Sequence, residues 1–139
     1  MFLAIQEIEI NIMKKIFLYT GLIIGLLSFT TNQGDVDAIV NAFKSADAGQ
    51  VGIFFDDYVD IKLLDKDEVK NIGRNQATIT LKAFFAENGV KGFEKVSERE
   101  IGNTMYLAGK LITSGKASNI TIMLKMKDGK RQIITLRIS

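Results

Sequence analysis

Residues 119–138, NITIMLKMKDGKRQIITLRI, give the clearest indication of the architecture of this chain. Apolar and polar side chains alternate along both halves of the stretch, which is the period of a β-strand with one buried face. Asp128 and Gly129 lie between the halves, and this dipeptide is typical of a tight hairpin turn. The stretch therefore predicts two antiparallel strands, Asn119 to Lys127 and Arg131 to Ile138.

Two more strands are predicted immediately upstream. Phe93 to Ile101 and Thr104 to Thr113 are joined by Gly102 and Asn103, and a loop from Ser114 to Ser118 leads into the hairpin. The chain contains no proline, so no strand is interrupted on that ground. The residues of one parity that should face the core are Met105, Leu107, Leu111, Ile120, Ile122, Leu124, Met126, Ile134, Leu136 and Ile138.

The first half of the domain has a helical period instead. Asp35 can cap one helix and Asp47 a second, shorter one. A long helix is predicted from about Asn75 to Asn88, where Gly89 can take the left-handed conformation that ends it. The side chains expected on the buried sides of these helices are Val36, Ile39, Val40, Phe43, Val51, Phe54, Phe55, Ala77, Leu81, Phe84 and Phe85.

One strand is predicted between the helices. Tyr58 to Leu63 alternates strictly, whereas Asp65 to Gly73 is polar and is interpreted as a connection. Helices followed by a run of strands indicate an α+β domain, with the helices on one side of an antiparallel sheet.

The order of these elements resembles the nuclear transport factor 2-like (cystatin-like) fold, a cone in which a bent sheet wraps the long helix. Several segments sharpen the resemblance: GDVDAIV at 34–40, LKAFF at 81–85, YLAG at 106–109 and KDGKRQIITLRI at 127–138. Together with a lysine-started leader, they are similar to the exported Bacteroidetes family catalogued as domain of unknown function 4783. The resemblance implies a fold and a compartment, but no mechanism, because that family has no established activity.

The leader itself indicates export. Met13, Lys14 and Lys15 precede an apolar run over residues 16–29, which is the pattern of a secretory signal peptide. Glu7 and Glu9 are unusual in a signal n-region, so translation is expected to start at Met13. We therefore expect an extension and signal peptide over residues 1–30 and a single domain over residues 31–139. The alternative is an uncleaved anchor, but the run is shorter than the about 20 residues that a bilayer requires.

Composition excludes several chemistries. The chain has no cysteine, which excludes disulfides and a lipidated cysteine, and predicts a free periplasmic protein. It has no histidine, which excludes imidazole zinc sites and histidine-activated nucleophiles. The net charge of +2 gives no indication of nucleic-acid binding. No cofactor or metal is predicted, since Asp56, Asp57 and Asp60 are interpreted as a solvated turn.

Relatives in this fold include isomerases, dehydratases and epoxide hydrolases that place acids, tyrosines or histidines inside the cone. An epoxide-hydrolase-like set could be drawn here from Asp57, Asp60 and Arg99, but the strand parity does not establish that they point inward. No catalytic residue is therefore assigned. Tyr58, Asp60 and Arg99 remain candidates for contact with a ligand in the cone.

The outer sheet face is the remaining candidate surface. The parity opposite the core rows is shared by Tyr106, Met123, Lys125, Ile133 and Arg137. Apolar side chains flanked by cations indicate a contact surface, and a contact between two copies of the chain is the hypothesis for it. A mixed solvent-exposed face is the alternative.

The sequence thus favours an exported, non-enzymatic domain that binds a small molecule or an envelope protein. The alternatives are a small isomerase or hydrolase that uses carboxylates and tyrosine in the cavity, and a structural envelope subunit.

Overall fold

The computed structural model describes residues 34–139. The predicted signal peptide and the expected start at Met13 lie outside these residues. No helix in the described part of the chain has the length and apolar character needed to span a membrane.

Three helices within residues 34–139 form one layer. Helix α1 covers residues 34–44, α2 covers Ala48–Gly52 and α3 covers Arg74–Asn88. The Asp47 carboxylate accepts hydrogen bonds from two backbone N–H groups at the start of α2, as predicted for an N-cap. Gly89 ends α3 in the left-handed conformation, with φ of 58°. Asp35, by contrast, lies within α1 rather than before it.

Six strands form the second layer. They are β1 (Phe55–Leu63), β2 (Val69–Gly73), β3 (Gly92–Ile101), β4 (Thr104–Ile112), β5 (Ser118–Lys127) and β6 (Lys130–Ile138). Their order across the sheet is β2-β1-β6-β5-β4-β3. The four strands β3 to β6 form the predicted antiparallel meander, and β1 pairs parallel to β6. The remaining pair, β1 with β2, is antiparallel.

The core lies between the helices and one face of the sheet, called here the inner face. The predicted helical stripes are buried in it, including Phe43, Leu81, Phe84 and Phe85. The predicted inner rows of β4 and β5 are buried too, except that Met126 is only partly covered. The opposite face of the sheet, called here the outer face, points away from the helices.

Four predictions about the strands and their neighbours are wrong. Phe54 and Phe55, expected on the second helix, lie after it, and Phe55 begins β1. Ile134, expected in the core-facing row of β6, is only partly buried. The segment interpreted as a polar connection contains β2, which pairs with β1 at the edge of the sheet. Ile133 is fully buried in the core instead of lying on the outer face, at 0% exposure. The reason is a β-bulge: Met123 pairs with Thr135 but Leu124 pairs with Ile133, so Ile134 is the extra residue and the parity of β6 changes there.

Candidate functional site

The candidate ligand residues Tyr58, Asp60 and Arg99 do not meet inside the cone. Tyr58 lies on β1 opposite Gly73 of the edge strand β2 and is 65% exposed. The Asp60 carboxylate accepts a hydrogen bond of 2.9 Å from the backbone N–H of Asn71. Arg99 is exposed on β3, the strand at the other edge of the sheet.

Strand register shows how far apart the two charged candidates lie. Arg99 is opposite Tyr106, Tyr106 is opposite Met123, Met123 is opposite Thr135, and Thr135 is opposite Asp60. These five residues form one row across five strands on the outer face. Four strand spacings separate its ends by about 19 Å, so Asp60 and Arg99 cannot act on one substrate atom.

Asp57, the third member of the possible catalytic set, is engaged elsewhere. Its carboxylate pairs with the Arg74 guanidinium at 3.0 Å, and Arg74 also donates to the backbone carbonyl of Phe55. The Asp57, Asp60 and Arg99 set is therefore not assembled. Within residues 34–139, no group of three or more acidic side chains is arranged to hold a metal ion.

A salt-bridge network connects β1 with the β5–β6 hairpin. The Lys127 ammonium lies 3.1 Å from Asp56 and 3.5 Å from Asp57. Burial raises the pKa of the Asp56 carboxyl, but the hydrogen bonds from the Asp57 backbone and Lys127, with the charges of Lys127 and Lys125, outweigh it and hold that pKa below its ordinary value. The hydrogen bond and charge of Asp56 raise the pKa of Lys127. This network ties the two segments together and leaves the carboxylate without a free proton to transfer at neutral pH.

Tyr58 borders a shallow groove at the beginning of α3. The groove has a volume of roughly 630 Å³ and is shared with Arg74, Asn75 and Ile79. A neighbouring groove of roughly 620 Å³ shares the same three residues and extends to Ile53. Both are open to solvent on the helix side, so Tyr58 is a surface residue of this region and not part of a cavity between helices and sheet.

The centre of the outer face contains Tyr106 and Met123, which are directly paired on adjacent strands and partly buried. The next row along the strands consists of the small residues Ala108 and Thr121, so the surface beside this pair has little relief. Lys125 and Arg137 are exposed on the same face, as predicted, and Arg137 pairs with Glu68 at 3.0 Å. Of the five predicted interface residues, only Ile133 is displaced to the core.

The inner face also holds charged residues, which were not predicted there. Glu98 and Glu100 are opposite the buried residues Leu107 and Met105, and Glu100 pairs with the buried Arg131. Lys95 is opposite Gly109 and pairs with Glu98 at 2.9 Å. The signal was present in β3, whose inner positions are charged where β4 and β5 have aliphatic side chains. Lys95 and Arg131 therefore each have one carboxylate partner on this face.

The architecture defines the class of protein: it is an α+β domain of the nuclear transport factor 2-like cone fold. The sequence profile of the domain of unknown function DUF4783 matches residues 36–139. The chain belongs to the DUF4783 family, as the resemblance of its segments predicted.

Solved structures of that family are similar in fold. A DUF4783 protein from Bacteroides ovatus aligns with a TM-score of 0.68 and 22% identity, over 73% of this chain and 90% of that chain. A DUF4783 protein from Bacteroides fragilis aligns with a TM-score of 0.65 and 25% identity, over 73% of this chain and 93% of that chain.

The fold is also similar to that of a protein described as a polyketide cyclase. This protein, from Sinorhizobium meliloti, aligns with a TM-score of 0.58 and 16% identity, over 76% of this chain and 94% of that chain. At this identity the likeness concerns the fold alone. No functionally curated protein matches the chain.

Proposed function

We propose that this chain is an exported, non-enzymatic interaction domain that docks a partner on the outer face of its sheet. The observation that carries the proposal is the Tyr106–Met123 pair, which lies at the centre of that face and points away from the helices. Tyrosine, methionine and arginine are enriched in the cores of protein interfaces. Aromatic side chains on a rigid sheet also lose little conformational entropy when a partner covers them.

The shape of the surrounding surface supports docking. Ala108 and Thr121 are small, and Thr135 continues the row of Tyr106 and Met123 on β6. A face with small side chains beside an aromatic anchor can be covered by a partner without displacing the strands. The outer face is therefore suited to close contact.

The inner side of the sheet also supports docking of a partner on the outer face. The inner rows of β4, β5 and β6 are packed with helix residues into a shared apolar core. The ionisable candidates Asp57, Asp60 and Arg99 are dispersed over the surface. This arrangement favours a partner on the outer face over a substrate held between the layers. The signal-like residues 13–30 of the sequence support export.

Site-specific photo-crosslinking tests the proposal. A photoreactive phenylalanine analogue replaces Met123 in the chain expressed in its natural host, and in a matched chain it replaces Ile79, which is exposed on α3. We expect a discrete adduct from position 123 that disappears when Tyr106→Glu is added. Equal adducts from both positions, or none from position 123, would rule out docking on the outer face.

A further inference from the structure

The outer face of β3 to β6 is strongly biased in charge. Strand register places six cations on it and one carboxylate, that of Glu94. The cations are Arg99, Lys110, Lys125, Lys127, Lys130 and Arg137. This excess is local, because the net charge of the whole chain is only +2.

Two of the six cations are neutralised by neighbouring elements. Lys127 pairs with Asp56 and Asp57, and Arg137 pairs with Glu68. No carboxylate of residues 34–139 lies within 4.0 Å of the side-chain nitrogens of the other four. Unpaired positive charge therefore remains on each of the four strands of this face.

Two of the unpaired cations lie beside the apolar pair. Arg99 is directly opposite Tyr106 on β3, and Lys125 follows Met123 by two residues on β5, which places it on the same face. Arg99 and Lys125 therefore flank Tyr106 and Met123 from two neighbouring positions. A ligand that covers the apolar pair therefore lies next to both cations.

We infer, on the basis of the proposed function, that the partner of the outer face is an acidic protein segment that also carries apolar side chains. Its carboxylates pair with Arg99 and Lys125, and an apolar side chain packs on Tyr106 and Met123. Complementary charge of this kind accelerates association and excludes partners of the wrong sign.

A second copy of the chain fits this surface less well. In a two-fold dimer the same patch faces itself, so residues near the axis approach their own copies. Arg99 and Lys125 would then bring like charges together around Tyr106 and Met123. Repulsion of that kind disfavours a homodimer on this face.

An anionic membrane also fits less well. Tyr106 and Met123 are partly buried between neighbouring side chains of the sheet. Stable binding at a membrane surface needs apolar side chains that enter the boundary of the acyl chains. A protein segment can instead bring its own apolar side chain down onto the pair.

Fluorescence anisotropy with synthetic peptides tests the inference. The probes are a short labelled peptide of alternating glutamate and leucine and a matched peptide of alternating lysine and leucine, each titrated with the full chain at about 20 mM and about 300 mM salt. We expect the acidic peptide to bind, at least tenfold more weakly at the higher salt concentration, and the basic peptide not to bind. Absence of acidic-peptide binding, or equal binding of both peptides, would overturn the inference.

Matched variants locate the binding. Arg99→Glu with Lys125→Glu should weaken acidic-peptide binding at least tenfold. Lys44→Glu with Lys82→Glu changes the net charge equally on exposed helix positions and should leave it within about twofold. An equal loss in both double variants would show a non-specific charge effect and overturn the inference.

Two further measurements test the other possible occupants of the outer face, a membrane and a second copy of the chain. Binding to phosphatidylglycerol vesicles that exceeds peptide binding and is lost with Arg99→Glu and Lys125→Glu would assign the face to a membrane. Sedimentation of a dimer that Tyr106→Glu dissociates would assign it to a second copy. Either result overturns the acidic partner. The crosslink from position 123 would still report docking on the outer face, so the two failures are distinguishable.

Discussion

Arg131 and Glu100 form an ion pair in which the cation is buried and the carboxylate is not. Nη2 of Arg131 donates to Oε1 of Glu100 at 2.9 Å, with 6% of the Arg131 side chain and 55% of the Glu100 side chain exposed. Nε and Nη1 of Arg131 are buried and have no hydrogen-bond partner among residues 34–139. The inner face therefore contains a guanidinium that is only partly compensated.

Replacement of the buried cation by an apolar side chain should not destabilise the domain. Removal of one partner of a buried ion pair is costly when the other charge stays buried, but the Glu100 side chain is 55% exposed and water can solvate its carboxylate. The desolvation cost of the Arg131 guanidinium is removed at the same time. We expect Arg131→Met to leave the free energy of unfolding unchanged or to raise it by about 1 kcal/mol, as measured by urea denaturation.

The reciprocal change should have the opposite sign. Glu100→Gln leaves Arg131 buried without its anionic partner, and we expect a loss of about 1 kcal/mol. The value is modest because solvent already screens the half-exposed Glu100. If Arg131→Met instead costs more than about 2 kcal/mol, the pair stabilises the fold and this account of it is wrong.

The two phenylalanines of α3 should dominate the stability of the helix layer. Phe84 and Phe85 are both buried in the core, and replacing a buried phenylalanine by alanine costs about 3 to 5 kcal/mol. We expect Phe84→Ala and Phe85→Ala each to lower the melting temperature by many degrees in circular dichroism. Ile79→Ala is the matched control, because Ile79 is on the same helix and 60% exposed. Equal melting temperatures for all three variants would contradict the observed packing of α3.

Gly109 should be intolerant of even a methyl group. A Cβ atom at this position would overlap the Phe93 ring and the Glu94 carbonyl of the adjacent strand. Overpacking of this kind costs about 1 to 3 kcal/mol, so we expect Gly109→Ala to lower the urea midpoint.

Gly92 provides the comparison for that variant. Its added Cβ would be 3.6 Å from the nearest side-chain atom, which is ordinary contact. Gly92→Ala should therefore be tolerated, and a urea midpoint that falls as much for Gly92→Ala as for Gly109→Ala would show that strand propensity, not overlap, sets the cost.

The elements of this fold could be predicted from sequence because their periods are strong. The alternation over residues 119–138, with Asp128 and Gly129 between its halves, predicted β5, β6 and their hairpin within one residue. Asp47 and Gly89 similarly marked ends of helices. Each of these signals lies within a few neighbouring residues, so it can be recognised in a single sequence.

The departures from prediction have non-local causes. The bulge at Ile134 changes the parity of β6 because β6 pairs with β5 on one side and with β1 on the other, where register also shifts. Strand β2 is short, polar and exposed, and only its pairing with β1 makes it a strand.

The candidate site was predictable to the same extent. Tyr106, Met123, Lys125 and Arg137 follow from simple alternation, whereas Ile133 lies beyond the bulge. The Arg131–Glu100 pair joins two residues that are 31 positions apart in sequence and lie on different strands. No local pattern contains such a pairing.

Acid should weaken the link between β1 and the β5–β6 hairpin. The Asp56 carboxyl has a pKa below its ordinary value in the folded state. Its contribution to stability is therefore complete above the unfolded-state pKa of about 3.9 and is lost as the pH falls through the lower folded-state pKa. The raised pKa of Lys127 acts at alkaline pH: the contribution of Lys127 to stability is complete below about pH 10.4 and is lost as the pH rises through the folded-state value.

Urea denaturation between about pH 2 and pH 7 tests this account. The loss of unfolding free energy on acidification should be smaller for Asp56→Asn than for the natural chain. Lys127→Met should reduce the same loss, because it removes a principal cause of the lowered pKa, and the double variant should add little to either single change. An acid loss as steep in Asp56→Asn as in the natural chain would assign the acid sensitivity to other carboxylates and contradict the proposed role of this network.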